Sequence, residues 1–419
     1  MSTFLVNGGK QLYGNVKVHG AKNSVLPILA AAIVNPGESI LHNCPDLSDV
    51  TASIKILEHL GCTVKRENGT IIIDSRSICR CDIPDELMRE MRSSVIFLGA
   101  ILARAGEAKM SFPGGCELGP RPIDLHLSSL RALGAHIEEK SGNLLCRADR
   151  MRGCEINLSI PSVGATENAM LAACSCEGTT TITNAAREPE ITDLQNFLCS
   201  MGFSVFGAGG STIVVEGKAK LHDCSHTVIS DRIVAATYLT AVASAGGEVN
   251  VEDVDYRHLS TVTSILSEAG CRIRSEENSV IISCKKPLKA VRPVRTAPYP
   301  GFPTDAQAPL MAAMLCAEGT SVFIENIFEN RYRHVDELMR MGADIKVEGR
   351  VAVVCGVPRL HGASIKATDL RGGAALVAAA LGAEGESRIS GISHIDRGYQ
   401  SLERSLAEIG AEILRTDGP

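Results

Sequence analysis

An amphipathic helix that ends at a glycine recurs six times along the chain. In every copy the residues four and one before the glycine are apolar, as are the residues one and three after it. The first spacing lines one face of a helix, glycine can adopt the left-handed conformation that ends the helix, and the second spacing predicts a half-buried strand. These glycines lie 68 to 73 residues apart, at Gly61, Gly134, Gly202, Gly270, Gly342 and Gly410.

A second type of helix, apolar on nearly all sides, alternates with the first. A helix without a polar face is buried, so these segments predict the centre of the fold. They cover residues 26–34, 95–103, 169–176, 233–243, 310–317 and 374–381. Each is followed by a glycine and then by another predicted strand, with the glycines at Gly37, Gly106, Gly178, Gly247, Gly319 and Gly385.

Each repeat of roughly 70 residues therefore combines one buried helix, one surface helix and the strands between them. Six such repeats in 419 residues predict an α/β protein with two lobes of three repeats each, because a chain of this length is too long to fold around one hydrophobic core. Solenoid repeats are normally shorter, which favours two closed globular lobes.

The composition narrows the possible partners. A formal net charge of −6, an aromatic content of 4% and the absence of Trp argue against a nucleic-acid partner. No apolar stretch reaches the roughly 18 residues needed to span a bilayer, and residues 1–10 lack the pattern of a signal peptide. We therefore expect a cytoplasmic protein without a membrane partner. The 15 cysteines form no C-x-x-C pair, which predicts reduced thiols and no metal site.

The segment 112–126 predicts a functional loop, because three glycines and three prolines exclude a helix or a central strand there. Cys116 is its only thiol, and Arg121 and Asp124 follow closely, so a thiol, a guanidinium and a carboxylate can converge. The alternative is a buried, inert cysteine. His126 is a candidate base for Cys116, although its place at the start of a surface helix argues against that pair.

Polar residues also stand at the starts of the first two buried helices. Lys22 and Asn23 precede the first one, where a cation beside a helix N-terminus forms an anion site. The alternative is a solvated lysine with a helix cap supplied by Asn23 or Ser24. Arg92, at the start of the second buried helix, leaves the same two interpretations open.

The second half of the chain offers a carboxylate and several arginines. Asp305 lies in the Pro- and Gly-rich segment 299–309, where it is either a helix N-cap or a general base. Arg371 opens the sixth buried helix, and Arg331 and Arg397 lie at the edges of repeats. Single arginines usually form weak surface ion pairs, whereas arginines at equivalent edges predict a cluster that binds phosphate and carboxylate.

The assembled motifs resemble those of the enolpyruvyl transferase family, in the branch that acts on UDP-N-acetylglucosamine. The resemblance covers essentially the whole chain and rests on motifs at residues 20–23, 113–126, 162–168, 184–190, 299–305, 328–331, 369–371 and 394–399. It implies two inside-out α/β barrel-like lobes, each of three repeated units, with the active site between the lobes. It further implies a first lobe at residues 22–229 and a second lobe formed by residues 1–21 together with 230–419.

The resemblance also implies a reaction that needs no cofactor. Enolpyruvate would pass from phosphoenolpyruvate to the 3-hydroxyl of UDP-N-acetylglucosamine with release of phosphate, the first committed step of peptidoglycan precursor synthesis. Asp305 would deprotonate that hydroxyl. Cys116 would act as the acid at the enol methylene, would form a covalent adduct with phosphoenolpyruvate, and would be the thiol that fosfomycin alkylates.

The same resemblance assigns binding residues to each substrate. Phosphoenolpyruvate would be held by Lys22, Asn23, Arg121, Arg331, Arg371 and Arg397. The UDP-sugar would be held by Arg92, Arg121, Pro122, Ile123, Asp124, Leu125, Ser162, Val163, Asp305 and Ile327. Two stretches depart from the family pattern. In the first stretch this chain has Val234 and Ala236 where the family usually has Glu and Gly. In the second stretch Gly372 and Gly373 replace a step that usually contains Ala or Ser.

Two rival functions stay open at this point. The first is the sibling transferase that acts on shikimate 3-phosphate, against which the loop thiol Cys116 argues. The second is a catalytically idle paralogue that senses sugar nucleotides. The joint presence of Cys116, Asp305 and Arg397 argues against that paralogue.

Overall fold

The computed structural model describes residues 2–112 and 122–417, with Arg92 and Asp417 described by their backbone alone. The chain divides into two compact units. The first lobe comprises the described residues of 20–229, and the second lobe comprises residues 2–19 and 230–417. The resemblance places one boundary after residue 21, whereas the contacts place it between His19 and Gly20. Each lobe has its own hydrophobic core.

The described residues contain thirteen α-helices and three short 3-10 segments. The α-helices are α1 (Lys22–Ala31), α2 (Ser48–Leu60), α3 (Asp85–Glu90), α4 (Phe97–Ala105), α5 (Asp124–Ala132), α6 (Val163–Ala173), α7 (Pro189–Ser200), α8 (Arg232–Ala245), α9 (Ser260–Glu268), α10 (Thr304–Met314), α11 (Val335–Arg340), α12 (Leu370–Gly382) and α13 (Leu402–Glu408). The 3-10 segments are η1 (Arg92–Ile96), η2 (Tyr256–Leu259) and η3 (Ile392–Arg397).

The strands number twenty-four over the same part of the chain. They are β1 (Ser2–Asn7), β2 (Leu12–Lys17), β3 (Glu38–His42), β4 (Thr63–Glu67), β5 (Thr70–Asp74), β6 (Asp82–Ile83), β7 (Glu107–Ser111), β8 (His136–Lys140), β9 (Asn143–Arg147), β10 (Glu155–Asn157), β11 (Thr179–Thr183), β12 (Ser204–Phe206), β13 (Thr212–Glu216), β14 (Cys224–Thr227), β15 (Gly247–Glu252), β16 (Arg272–Glu276), β17 (Ser279–Cys284), β18 (Val294–Arg295), β19 (Thr320–Ile324), β20 (Asp344–Glu348), β21 (Val351–Cys355), β22 (Ser364–Lys366), β23 (Glu386–Ser390) and β24 (Glu412–Asp417).

All six sheets repeat one pattern of four strands. An edge strand pairs in parallel with the strand that follows a buried helix, and two antiparallel strands extend the sheet from there, as in the order β6-β7-β9-β8. Three sheets belong to each lobe. The predicted α/β class with three repeats per lobe is therefore confirmed. In the part of the chain that the structure describes, the sheets are separate and none closes into a barrel.

The amino-terminal strands complete two sheets of the second lobe. β1 lies between β23 and β24 and is antiparallel to both, with Phe4 opposite Arg415. β2 is the parallel edge strand beside β15. These pairings tie the start of the chain to residues 247–252 and 386–417. The backbone hydrogen bonds of residues 2–17 thus explain why the amino terminus belongs to the second lobe.

The six apolar helices are buried as predicted, because they carry no polar stripe that could face water. In the second lobe α8, α10 and α12 pack against one another, and in the first lobe α4 packs against both α1 and α6. The surface helices end as the glycine pattern predicts. All six repeat glycines are left-handed, with φ between 94° and 106°.

Four buried helices begin four to six residues before their predicted starts, because their first turns are polar and fall outside the apolar run. Lys22 and Asn23 lie inside the first turn of α1, and Asp305 lies inside that of α10. The capping residues are Ala21 and Pro303, and neither helix has a side-chain cap. The alternative interpretation of these polar residues as helix caps is therefore wrong.

Candidate functional site

In the second lobe, the Asp305 carboxylate lies between two arginines. Its Oδ1 atom is 2.8 Å from Nη2 of Arg331, and its Oδ2 atom is 3.1 Å from Nη2 of Arg371. Arg331 also donates to the carbonyl oxygen of Thr304 at 2.9 Å. The arginine side chains are only 2% and 3% exposed, whereas the carboxylate is 27% exposed. The Asp305 carboxylate is thus partly exposed to solvent, while the two guanidinium groups that bind it are buried. Such an arrangement is typical of a functional site.

Aromatic rings hold both guanidinium groups in place. Arg371 stacks over the ring of Tyr399 at 5.4 Å, and Arg331 stacks over Phe328 at 5.6 Å. The Tyr399 hydroxyl shares a 2.8 Å hydrogen bond with Oγ1 of Thr237. Burial raises the pKa of Tyr399, so it stays a neutral phenol. Burial disfavours the charge of Arg371, but neighbouring groups, the Asp305 carboxylate among them, outweigh burial and raise the pKa of the guanidinium group.

A fully buried carboxylate, Glu325, connects Asp305 to the loop that holds Ile327. Its Oε1 atom accepts hydrogen bonds from Thr296 Oγ1 at 3.0 Å and from the backbone N–H of Ile327 at 2.8 Å. Its Oε2 atom accepts from Thr304 Oγ1, next to Asp305, at 2.9 Å. A buried charge needs this number of donors. Glu325 therefore fixes both the start of α10 and the segment that presents Ile327, which is 38% exposed.

Asp369 and His334 lie beside this cluster. Asp369 caps α12 by accepting from the backbone N–H groups of Arg371 at 3.1 Å and Gly372 at 2.9 Å. Burial lowers the pKa of His334 to about 4, with Arg331 lowering it further and Asp369 opposing the shift. His334 is consequently neutral at neutral pH and adds no positive charge to the arginine pair.

The structure brings together Asp305, Arg331 and Arg371 of the predicted site residues, and it places Ile327 and Arg397 in the same lobe. Arg397 is half-buried at the end of η3. The neighbouring Asp396 binds Arg415, at 2.6 Å between its Oδ1 atom and Nη2.

In the first lobe, Lys22 forms a buried ion pair that the sequence analysis missed. Its Nζ atom is 2.6 Å from Oδ2 of Asp49, and the two side chains are 10% and 3% exposed. Lys22 and the exposed Asn23 occupy the first turn of α1. This end of a helix stabilises an anion. The first turn of α1 therefore combines the Lys22 ammonium group with the helix end that favours negative charge.

The residues predicted to hold the UDP-sugar lie at the starts of α5 and α6. Pro122 and Ile123 precede α5, and Asp124 and Leu125 form its first turn. Ser162 caps α6 with its hydroxyl, which accepts from the backbone N–H of Ala165 at 3.4 Å, and Val163 begins that helix. Two predicted residues, Cys116 and Arg121, lie outside the described residues, and Arg92 is described by its backbone in η1 alone.

His126 is bound by an amide rather than exposed for proton transfer. Its Nδ1 atom is 2.7 Å from Nδ2 of Asn168, which also donates to the carbonyl oxygen of Val95 at 2.9 Å. The Oδ1 atom of Asn168 accepts from the backbone N–H of Gly99 at 2.7 Å. Burial lowers the pKa of His126 to about 4, against the opposing effect of Asp124. These contacts give His126 a role in joining α4, α5 and α6.

The buried His126 predicts a pH dependence of stability. Its folded pKa of about 4 lies below the ordinary value of 6.5, so the unfolded chain binds the proton more readily between these values. The contribution of His126 to the free energy of unfolding is therefore fully present above pH 6.5, and it is lost as the pH falls toward about 4. Lowering the pH from 7.5 to 5.0 should reduce the free energy of unfolding by about 2 kcal/mol through this histidine.

Urea unfolding of the parent and of His126→Gln at those two pH values measures this loss. The variant should lose about 2 kcal/mol less than the parent on acidification. The exposed His136 supplies a matched control, since His136→Gln should leave the pH dependence of the parent unchanged. Equal acid losses in the parent and His126→Gln would contradict the assignment of a neutral, buried His126.

Among the groups missed from the sequence, Asp49 and Glu325 are the most informative. An acid in the first turn of a surface helix, as at Asp49, is ordinary because it suits the helix dipole. Glu325 follows the apolar run of β19 and resembles a polar residue at a strand end. Only the three-dimensional contacts distinguish these two carboxylates from the many that face water.

The residues that depart from the family pattern lie in the buried helices of the second lobe. Val234 and Ala236 are fully buried in α8. A Cβ atom at Gly372 would lie 2.6 Å from Asp369 Oδ2, and one at Gly373 would lie 2.7 Å from the Ile395 side chain. The two glycines thus allow α12 to start close to its neighbours.

Comparison with known proteins identifies the family. The model of the family described as EPSP synthase (3-phosphoshikimate 1-carboxyvinyltransferase) matches residues 6–406. The chain belongs to the enolpyruvyl transferase family. It is 55% identical to UDP-N-acetylglucosamine 1-carboxyvinyltransferase 2 of Caldanaerobacter subterraneus subsp. tengcongensis, over 99% of this chain and 100% of the relative. It is 51% identical to UDP-N-acetylglucosamine 1-carboxyvinyltransferase 1 of Symbiobacterium thermophilum, over 98% and 95% of the two chains.

The solved structures agree with this assignment. The crystal structure of the enolpyruvyl transferase NikO from Streptomyces tendae has a TM-score of 0.90 at 26% identity, covering 100% of this chain and 99% of that one. The predicted resemblance is therefore confirmed. As an enolpyruvyl transferase, the protein is an enzyme that acts on small-molecule substrates. Within the described ranges, no helix combines the length and apolar content needed to cross a membrane.

Proposed function

We propose that this enolpyruvyl transferase moves enolpyruvate from phosphoenolpyruvate to the 3-hydroxyl of UDP-N-acetylglucosamine, with release of phosphate. The sugar oxygen adds to C2 of phosphoenolpyruvate while C3 takes up a proton. Elimination then breaks the bond from C2 to the phosphate oxygen while C3 loses a proton, which restores the enol double bond. The reaction needs a base for the hydroxyl, an acid for the methylene carbon and cations for the phosphate and carboxylate. It would supply the first committed step of peptidoglycan precursor synthesis.

The observation that carries the proposal is the Asp305 carboxylate held by Arg331 and Arg371. The two guanidinium groups favour the ionised carboxylate, which is the form that accepts a proton. An anionic substrate that reaches Arg371 would compete for the guanidinium now bound to Asp305. Substrate binding would thus release the carboxylate to act as a stronger base.

In the first lobe, Lys22 and Asn23 would bind phosphoenolpyruvate at the start of α1. Arg121 and, from the second lobe, Arg397 would be further cations. Such focused positive charge is needed because the substrates bring several negative charges to a chain with a net charge of −6. We assign the acid at the enol methylene, and the covalent adduct, to Cys116. The UDP-sugar would lie along the starts of α5 and α6, where Asp124, Leu125, Ser162 and Val163 lie, together with Arg92, Pro122, Ile123 and Ile327.

We place the reaction in the cytoplasm and expect no nucleic-acid or membrane partner. All fourteen cysteines that lie within the described residues are free thiols, and a reducing compartment suits such a chain. The acidic net charge disfavours a polyanionic partner.

Phosphate release tests the proposed function directly. The protein is incubated with phosphoenolpyruvate and either UDP-N-acetylglucosamine or shikimate 3-phosphate, and inorganic phosphate is measured. We expect release with the UDP-sugar alone. Release with shikimate 3-phosphate alone would assign the protein to the sibling reaction, and no release with either acceptor would favour a sugar-nucleotide sensor.

Fosfomycin labelling tests the assignment of Cys116. The thiolate should open the epoxide, forming one carbon–sulfur bond and breaking one carbon–oxygen bond, so intact mass should show one adduct per chain. Cys116→Ser should abolish the adduct. The exposed thiols of Cys79 and Cys199 provide matched controls, because Cys79→Ser and Cys199→Ser should label like the parent. An adduct that survives in Cys116→Ser would refute the assignment.

A further inference from the structure

A buried cluster in the first lobe joins three elements around Asp193 of α7. Its Oδ2 atom accepts hydrogen bonds from Ser24 Oγ in α1 and from the backbone N–H of Ile229 at 3.2 Å. Its Oδ1 atom is 2.9 Å from Nε2 of His226 in β14, whose ring packs edge-on against Phe197 at 5.6 Å. Asp193 is 2% exposed and Ser24 is fully buried, so water does not satisfy these groups.

These contacts hold the residues on both sides of Lys22 and Asn23. Ser24 follows them and is bound by Asp193 directly. Ala21 precedes them, and its backbone N–H donates to the carbonyl oxygen of Ile229 at 2.7 Å. Since Asp193 also binds the N–H of Ile229, a single carboxylate fixes both ends of this dipeptide.

Helix α1 itself does little to fix the positions of Lys22 and Asn23. The capping residue of α1 is Ala21, no side chain of its own caps it, and its first turn contains no acidic residue. An acid near a helix N-terminus is normally stabilising, and capping normally fixes the first turn. Asp193 supplies a carboxylate beside this turn from a neighbouring helix, and it restrains the turn through the Ser24 hydroxyl.

We propose that Asp193 is a positioning residue for the reaction, setting the place of Lys22 and Asn23 against phosphoenolpyruvate. The inference rests on the proposed function, which assigns phosphoenolpyruvate to those two residues. Asp193 and Ser24 are buried and act through the first turn of α1, not on the substrate. Displacement of a binding group by a fraction of an ångström weakens its contact, so loss of the cluster should affect this substrate selectively.

Steady-state kinetics of Ser24→Ala and Asp193→Asn test the proposal. We expect KM for phosphoenolpyruvate to rise about 3-fold in Ser24→Ala and about 10-fold in Asp193→Asn, with KM for the UDP-sugar within about 2-fold of the parent. In the double variant, Ser24→Ala should add no further increase, because its effect passes through Asp193. Ser24→Ala alone decides the question if Asp193→Asn does not fold.

Ser75 offers a matched control in the same lobe. It is fully buried, and its hydroxyl donates to the carbonyl oxygen of Asn35, beyond the other end of α1. Ser75→Ala should leave both KM values unchanged. A lower melting temperature with unchanged KM values in the Ser24 and Asp193 variants, or equal increases for both substrates, would overturn the inference. A parent protein that releases no phosphate would instead overturn the proposed function.

Discussion

Asp305→Asn should lower kcat for phosphate release about 1,000-fold, because a positioned general base typically contributes roughly a hundred- to ten-thousand-fold. The asparagine keeps the shape of the side chain and one oxygen that Arg331 or Arg371 can bind. It removes the negative charge that would accept the hydroxyl proton. Rapid-quench or continuous phosphate assays at saturating substrate concentrations measure the change in kcat separately from binding.

The same substitution also removes the counterion of two nearly buried arginines, so a fall in activity must be separated from a fall in stability. Asp255 provides a control for the loss of an arginine-bound carboxylate. It lies in the same lobe, is 29% exposed, and binds Arg257 at 2.6 Å. Asp255→Asn should leave kcat unchanged. If folded Asp305→Asn retained kcat within a few-fold of the parent, Asp305 could not be the general base.

The repeat architecture was predictable because its signals are local. The left-handed caps at Gly61 and Gly270 end amphipathic helices whose apolar spacing can be identified within a dozen residues. The starts of α6 and α10 were not predictable from apolar spacing, because their polar first turns interrupt it. Polar residues proposed to act on the substrates are concentrated in such turns, and for that reason the apolar pattern fails there.

The partners in the candidate site depend on contacts that sequence spacing cannot give. Asp305 binds Arg331, 26 residues away, and Arg371, 66 residues away. The resemblance grouped these three residues, but it did not indicate that the arginines are buried beneath the carboxylate. Glu325 and Asp49 were missed because a single charged residue at a helix or strand end is most often solvated.

Lys22→Met should lower kcat/KM for phosphoenolpyruvate by about 100- to 1,000-fold through loss of a charged contact. It should also destabilise the first lobe, because it leaves the Asp49 carboxylate buried without its cation. Removing one partner of a buried ion pair typically costs about 3–5 kcal/mol. Thermal unfolding and kinetics of the same samples report both effects.

A second substitution separates the two roles of Lys22. In the double variant Lys22→Met/Asp49→Asn neither side chain is charged, so most of the lost stability should return, while turnover should stay as low as in Lys22→Met. Asp49→Asn alone keeps the ammonium group and should retain turnover with a changed KM for phosphoenolpyruvate. If the double variant recovered both stability and activity, the ion pair would be structural and phosphoenolpyruvate would not need Lys22. If it recovered stability alone, the ammonium group would be bound by Asp49 in the free protein and shared with the substrate anion during the reaction.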